Sequence, residues 1–267
     1  MLIDTHCHLD YLDIPEIVGS IPGALQRGRA AGVSAIVVPT VSPANVERVV
    51  ALADREPEVY FALGIHPMYV QELNDSALTE IENALDRYRH HPKLVAVGEI
   101  GLDHYVPGLD RDRMHRFFIA QCTMAKDRGL PVILHVRKAQ DQVLAGLRRC
   151  RVTQGIAHAF NGSHVQAKAF IDHGLVLGMG GAMTFTRALQ IRRLAAELPL
   201  EALVLETDSP DIAPSWKPKG ELNEPAELSR IADCLAALRG MSVDQVIRAT
   251  AANARRALPR LEHPSSH

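Results

Sequence analysis

Apolar residues gather into eight short, mostly β-branched runs at 2–7, 35–39, 59–65, 94–100, 131–136, 155–160, 175–179 and 202–207. Most are apolar on both alternating faces, as parallel strands are when both sides of the sheet are covered. Between them the apolar spacing turns helical, most clearly over 45–55, 77–90, 114–128 and 165–173. Two more helical stretches, 225–239 and 242–257, follow the last run. Gly32, Gly129 and Gly174 stand where helices should stop and strands begin. Eight strands alternating with helices predict an α/β fold, a (β/α)8 TIM barrel with some distortion and extra C-terminal helices. A doubly wound open sheet ranks second. No repeat or Pro/Gly/Ser-rich linker divides the chain, so residues 1–260 are expected to form one domain, with 261–267 a flexible tail. The stretch 214–220 is the largest irregular insertion.

Composition narrows this picture. A chain of 267 residues is long enough for one such barrel, and 4% aromatic content means that its core must be mostly aliphatic. A net charge of −2 excludes a whole-protein field that draws in polyanions, so any contact with nucleic acid must be local. The four cysteines form no C-x-x-C and read as free thiols in a reducing compartment. The first residues lack a charged, then apolar leader, and no run reaches the ~18 apolar residues of a membrane span. A cytoplasmic protein with no membrane association is expected.

The first run ends in His6-Cys7-His8. On a strand, His6 and His8 share a face and Cys7 takes the other. With 13 histidines in the chain, chance alone supplies roughly 0.6 such pairs, so the meaning lies in where the others fall. His66, His135 and His158 also end predicted strands, making five histidines where about 1.2 are expected by chance at the ends of eight barrel strands. Alternation puts Val95 and Val97 on a face with Glu99, Ile133 with His135, Ile156 with His158, and Val204 with Glu206 and Asp208. Each polar group thus ends an inward apolar column, where an unpaired imidazole or carboxylate is costly. Four histidines and two carboxylates supply ligands for two divalent cations, one carboxylate bridging. Two such ions acidify a water held between them and polarise the bond it attacks, which is the chemistry of metal-assisted hydrolysis.

The segments DTHCHLD (4–10), ALGIHP (62–67), VGEIGLD (97–103), PVILHVR (131–137), His158-x-Phe160-x-Gly162-Ser163, ETDSP (206–210) and Asn223-Glu224-Pro225 resemble, in order, the TatD family of metal-dependent hydrolases in the amidohydrolase superfamily. That resemblance implies one metal on His6, His8 and Asp208, another on His135 and His158, and Glu99 bridging. It implies that Asp208 acts on the nucleophilic water, Glu206 supports the site from behind the ligands, and His66 contacts substrate phosphate. The implied activity is that of a deoxyribonuclease-like phosphodiesterase. One departure is Ala159-Phe160-Asn161-Gly162, where Cys-Phe-Ser-Gly is expected.

Further substrate contacts follow from residue chemistry. Arg137 shares a face with His135 and suits a bidentate phosphate contact, whereas Lys138 points away. Trp216, between Ser215 and Lys217, suits base stacking, or else plugs the space under its loop. Asp4, Asp10 and Asp103 read as structural. The expected reaction is therefore hydrolysis of DNA or short oligonucleotides by a monomer carrying two divalent ions, Zn2+, Mg2+ or Mn2+. A hydrolase of small amides, lactones or phosphoesters at the same site is the alternative. A non-catalytic metal-dependent binding protein ranks last, because the ligands surround a water position rather than close a structural site.

Overall fold

The computed structural model describes residues 1–13 and 20–261. Eight parallel strands pair in chain order: β1 (Leu2–Asp4), β2 (Val33–Pro39), β3 (Val59–Leu63), β4 (Leu94–Asp103), β5 (Val132–Arg137), β6 (Gly155–Ala157), β7 (Leu175–Met179) and β8 (Leu203–Leu205). The sheet comes round on itself where Thr5, just past β1, donates its N–H to the Leu205 carbonyl of β8 at 3.1 Å. The result is a nearly closed (β/α)8 barrel, as the alternation predicts. Its helices are α1 (Ile21–Ala30), α2 (Val46–Arg55), α3 (Ser76–Arg87), α4 (Arg111–Arg128), α5 (Gln140–Cys150), α6 (His164–Asp172), α7 (Leu189–Glu197), α8 (Leu228–Arg239) and α9 (Val243–Ala257).

Two apolar layers hold this together. Ile3, Ala35, Val37, Ala62, Val95, Ile133, Ile156, Val176 and Val204 fill the barrel interior. Small side chains of α9, Ala251 and Ala254, together with Leu258 and Leu261, pack into the same layer and plug the N-terminal end of the barrel. Leu261 is therefore buried and does not begin a free tail; the rest of the expected tail lies outside the described residues. A larger outer layer, including Leu63, Phe61, Phe117, Leu134, Leu177 and Leu235, fills the space between barrel and helices. With one end closed by α9, the opening lies at the C-terminal ends of the strands.

Three helices, α1, α5 and α7, were not among those the spacing marks out. Helix α1 is interrupted by Pro22, Gly23 and Gly28, all poor markers of a helix interior. The stop signals behave as expected: Gly129 ends α4 in the left-handed region at φ 62°. The 225–239 stretch divides into a 3-10 turn, Pro225–Glu227, and α8. Irregular backbone runs from Glu206 to Glu224, including the expected 214–220 insertion.

Two expectations about strand phase need correction. First, β1 ends at Asp4, so His6 and His8 do not owe their orientation to a regular strand. The extended path continues because Cys7 N–H bonds to Val37 O at 3.1 Å and His8 N–H to Ser209 O at 2.7 Å. Cys7 still turns into the outer apolar layer. Second, alternation along β4 is broken twice. Its pairing shifts against β3 near Ala62 and against β5 between Val97 and Ile100. Val97 therefore packs in the outer layer while Val95 faces inward. Glu99 reaches the centre because an extra residue is inserted on each side, not by unbroken alternation.

Candidate metal centre

The loops at the C-terminal ends of the strands bring His6, His8, His66, Glu99, His135, His158 and Asp208 into one buried cluster. Glu99 is its hub. Its Oε2 lies 3.1 Å from His6 Nε2 and 3.3 Å from His8 Nε2; its Oε1 lies 3.0 Å from His158 Nε2, 3.1 Å from His135 Nδ1 and 3.2 Å from His66 Nε2. Asp208 Oδ1 is 3.4 Å from His6 Nε2 and 3.8 Å from His8 Nε2. Ligand-type atoms thus converge in overlapping sets: His6, His8 and Asp208; His6, Glu99 and His158; and His66, Glu99 and His135.

Several members are held from behind. Asp4, fully buried, accepts the Thr207 N–H at 2.9 Å and the Thr207 hydroxyl at 2.6 Å, and the His6 N–H at 3.4 Å. It thereby ties the His6 segment to the loop carrying Asp208. Asp208 itself sits at φ 57°, a left-handed conformation uncommon for a non-glycine residue, and its N–H bonds to His6 O at 2.9 Å. Asn223 pins the same loop by donating to Thr207 O at 2.7 Å and Asp211 O at 3.0 Å. Asp103 Oδ2 accepts from His135 Nε2 at 3.0 Å, leaving Nδ1 turned toward Glu99. Glu206 stands behind His158: its Oε1 accepts the Ala159 N–H at 2.5 Å and lies 3.7 Å from His158 Nδ1. The close approach of β7 requires Gly178, where a Cβ would collide with the Glu206 carboxylate. His66 both caps and reaches inward, because its Nδ1 accepts the Met68 N–H at 3.2 Å while Nε2 faces Glu99.

Electrostatics match this geometry. Burial works against the ionised Glu99, yet the imidazoles of His66, His158 and His6 hold its carboxyl well below the usual range. Burial pushes Asp208 up to about 6, against the pull of His158 and His8. Burial likewise drives His66 down to about 4 despite Glu99 beside it. Asp103 resists its burial because His135 and the Val106 and Tyr105 N–H groups hold it down at about 2, so it is the acceptor and His135 Nε2 the donor.

A divalent cation fits this donor set. Glu99 Oε2 is buried without a hydrogen bond, the Nε2 atoms of His6, His8 and His158 all converge on the Glu99 carboxylate, and His6 Nε2 and His8 Nε2 approach to 3.2 Å. Neutral imidazole nitrogens and carboxylate oxygens packed this closely are stabilised by shared positive charge.

Above the cluster opens a cleft of about 1130 Å3, with His8, His66, Glu99, His135, His158 and Asp208 on its floor and Tyr11, Tyr69, Tyr105, Arg137 and Lys138 on its walls. Arg137 lines the cleft, as expected. Lys138 does too, contrary to the alternation reading, because its φ of 57° breaks the strand. Trp216 does not line it. Its indole N–H donates to Glu227 Oε2 at 2.6 Å, Arg230 lies 4.3 Å over its ring, and the half-buried side chain packs against the outer layer. It plugs the space beneath its loop. Asp103 and Asp4 do more than the structural roles expected of them: Asp103 orients His135, and Asp4 ties the His6 segment to the Asp208 loop. Their spacing from His135 and Thr207 in the chain held no hint that they position site residues.

A parallel barrel whose strand ends converge on such a cluster defines the class of metal-dependent hydrolases. The model for "TatD related DNase" matches residues 3–259. An uncharacterized metal-dependent hydrolase of Escherichia coli K12, YjjV, is 39% identical over 92% of this chain and 93% of its own length. The crystal structure of YjjV superposes with a TM-score of 0.90 at 37% identity, covering 97% of this chain and 98% of that one. An uncharacterized metal-dependent hydrolase of Mycobacterium tuberculosis, TatD, is 32% identical over 96% and 97% of the two chains. The chain belongs to the TatD family.

Proposed function

We propose that this protein is a phosphodiesterase that hydrolyses DNA or short oligonucleotides at a two-metal centre. The observation that carries the reading is the division of Glu99: one carboxylate oxygen faces His6 and His8, the other His135 and His158. On this reading His6, His8 and Asp208 would hold one ion and His135 and His158 the other, with Glu99 shared between them. The ions, when bound, supply an acidified water and a positive charge for the phosphate oxygens.

The chain's own residues do the rest. Asp208, buried at the edge of the cluster, is placed to take the proton of the attacking water and pass it to the leaving oxygen. His66 Nε2 faces the cleft floor and donates to a phosphate oxygen. Glu206 and Asp103 keep His158 and His135 turned inward. Arg137 and Lys138 provide local positive charge on a chain whose net charge is −2, which favours short or single-stranded ends over tight duplex binding. The family description names a DNase, consistent with this choice.

The test is a panel of labelled single- and double-stranded DNA, RNA, aryl esters and amides under Zn2+, Mg2+ and Mn2+, with metal content measured in parallel. Phosphodiester cleavage with about two ions per chain, lost in Glu99→Ala, is expected. Amide or lactone turnover with no phosphodiester cleavage would refute the substrate class, and full activity with one ion would refute the bridge.

A further inference from the structure

The cleft wall carries an aromatic surface that none of the chemistry above uses. Tyr105 is 58% exposed and lines the cleft, and the Arg137 guanidinium lies 3.9 Å from the centre of its ring. The two other tyrosines of the cleft are already engaged. Tyr11 and Tyr69 share a hydrogen bond at 3.0 Å between their hydroxyls; Tyr11 stands edge-on to His8 and lies beneath Arg48, and Tyr69 stands edge-on to His66. Tyr105 has one face covered by a cation and the rest of its ring open.

This pair is held in place by backbone. Asp103 Oδ1 accepts the N–H groups of Tyr105 at 2.8 Å and Val106 at 3.0 Å, while its other oxygen holds His135. Asp103 pairs with Arg137 in the β4–β5 register, and the His104 N–H bonds to Arg137 O at 2.8 Å. One carboxylate therefore fixes both a cluster histidine and the turn that carries Tyr105. Arg137 lies two residues beyond His135 on the same strand, roughly 6–7 Å along it. That offset suits a sugar joining a phosphate on the cleft floor to a base at the wall.

We propose that Tyr105 and Arg137 form a stacking platform for the nucleobase next to the phosphate at the cleft floor, so that the site takes nucleotides in preference to base-free sugar phosphates. This rests on the nuclease reading for the identity of the reaction. The Tyr105 ring supplies the stacking surface, which any base can use. The guanidinium stacked on it keeps its in-plane N–H groups free for phosphate oxygens. Fixing of the Tyr105 backbone by Asp103, and of the Arg137 backbone by its strand pairing and the His104 N–H, lowers the ordering cost of binding.

Calorimetric titration of the metal-loaded protein with dAMP and with 2-deoxyribose 5-phosphate tests the platform. The wild type should bind dAMP about tenfold more tightly, within the range expected for one stacked base. Tyr105→Leu should remove that preference, bringing the dAMP affinity down to that of the sugar phosphate; Tyr105→Phe should keep it. Arg137→Gln should weaken both ligands. Equal affinities in the wild type, or a preference that survives Tyr105→Leu, would overturn the proposal. Oligonucleotide cleavage by the wild type, assayed beside it, separates the two readings. Cleavage without base preference removes the platform alone, and base preference without cleavage removes the nuclease reading alone.

Discussion

Substituting glutamine for Glu206 separates support of His158 from the filling of space. Glu206 is buried beneath the cluster, its Oε1 accepting the Ala159 N–H at 2.5 Å and lying 3.7 Å from His158 Nδ1. Glutamine has the same shape against Gly178 and keeps an acceptor for Ala159, but it carries no charge toward His158. A carboxylate behind a ligating imidazole sets its orientation and basicity, and losing such a partner typically lowers metal affinity by about 10–100-fold. That corresponds to about 1.4–2.8 kcal/mol. The fold should feel less, because exchanging a charged acceptor for a neutral one costs about 1 kcal/mol, or a fall of about 2–4 °C in melting temperature at this size. Competition between the protein and a chromophoric chelator measures the affinity, and thermal unfolding of the metal-free protein measures the fold. Glu206→Ala should lose both, since it orphans the Ala159 N–H and opens a cavity. Glu206→Gln with wild-type affinity for both ions would refute the role of Glu206 in holding His158.

Two further substitutions probe the surroundings of the site. Gly178→Ala should displace Glu206, because the added Cβ would collide with its carboxylate; overpacking of this kind costs about 1–3 kcal/mol, and an unchanged melting temperature would contradict the close approach. Trp216→Ala should lower stability by roughly 1–3 kcal/mol through lost contacts with Glu227 and Arg230, with KM for oligonucleotides unchanged. A selective loss of oligonucleotide turnover at wild-type stability would return Trp216 to the substrate.

Much of the architecture was legible in one dimension because it rests on local periodicity. Apolar runs of strand length, separated by helical spacing and glycine stops, admit few arrangements besides a barrel. The polar residues that follow inward columns, His135 after Ile133 and His158 after Ile156, identified themselves because burial without partners is costly; Asp208 lies beyond β8 and reaches the cluster through a left-handed turn, not through alternation from Val204. The resemblance to TatD motifs then implied roles for them. Tertiary structure decided what depends on contacts between distant segments. The pairing shifts of β4, not its alternation, aim Glu99; hydrogen bonds to Val37 and Ser209, not a regular strand, carry His6 and His8. Asp4 and Asp103 gained positioning roles from partners on neighbouring strands that are distant in the chain, and Trp216 is held away from the cleft by Glu227 and Arg230. Side-chain period reports only which face a residue prefers; bulges, left-handed turns and hydrogen bonds between neighbouring strand ends set where that face finally points.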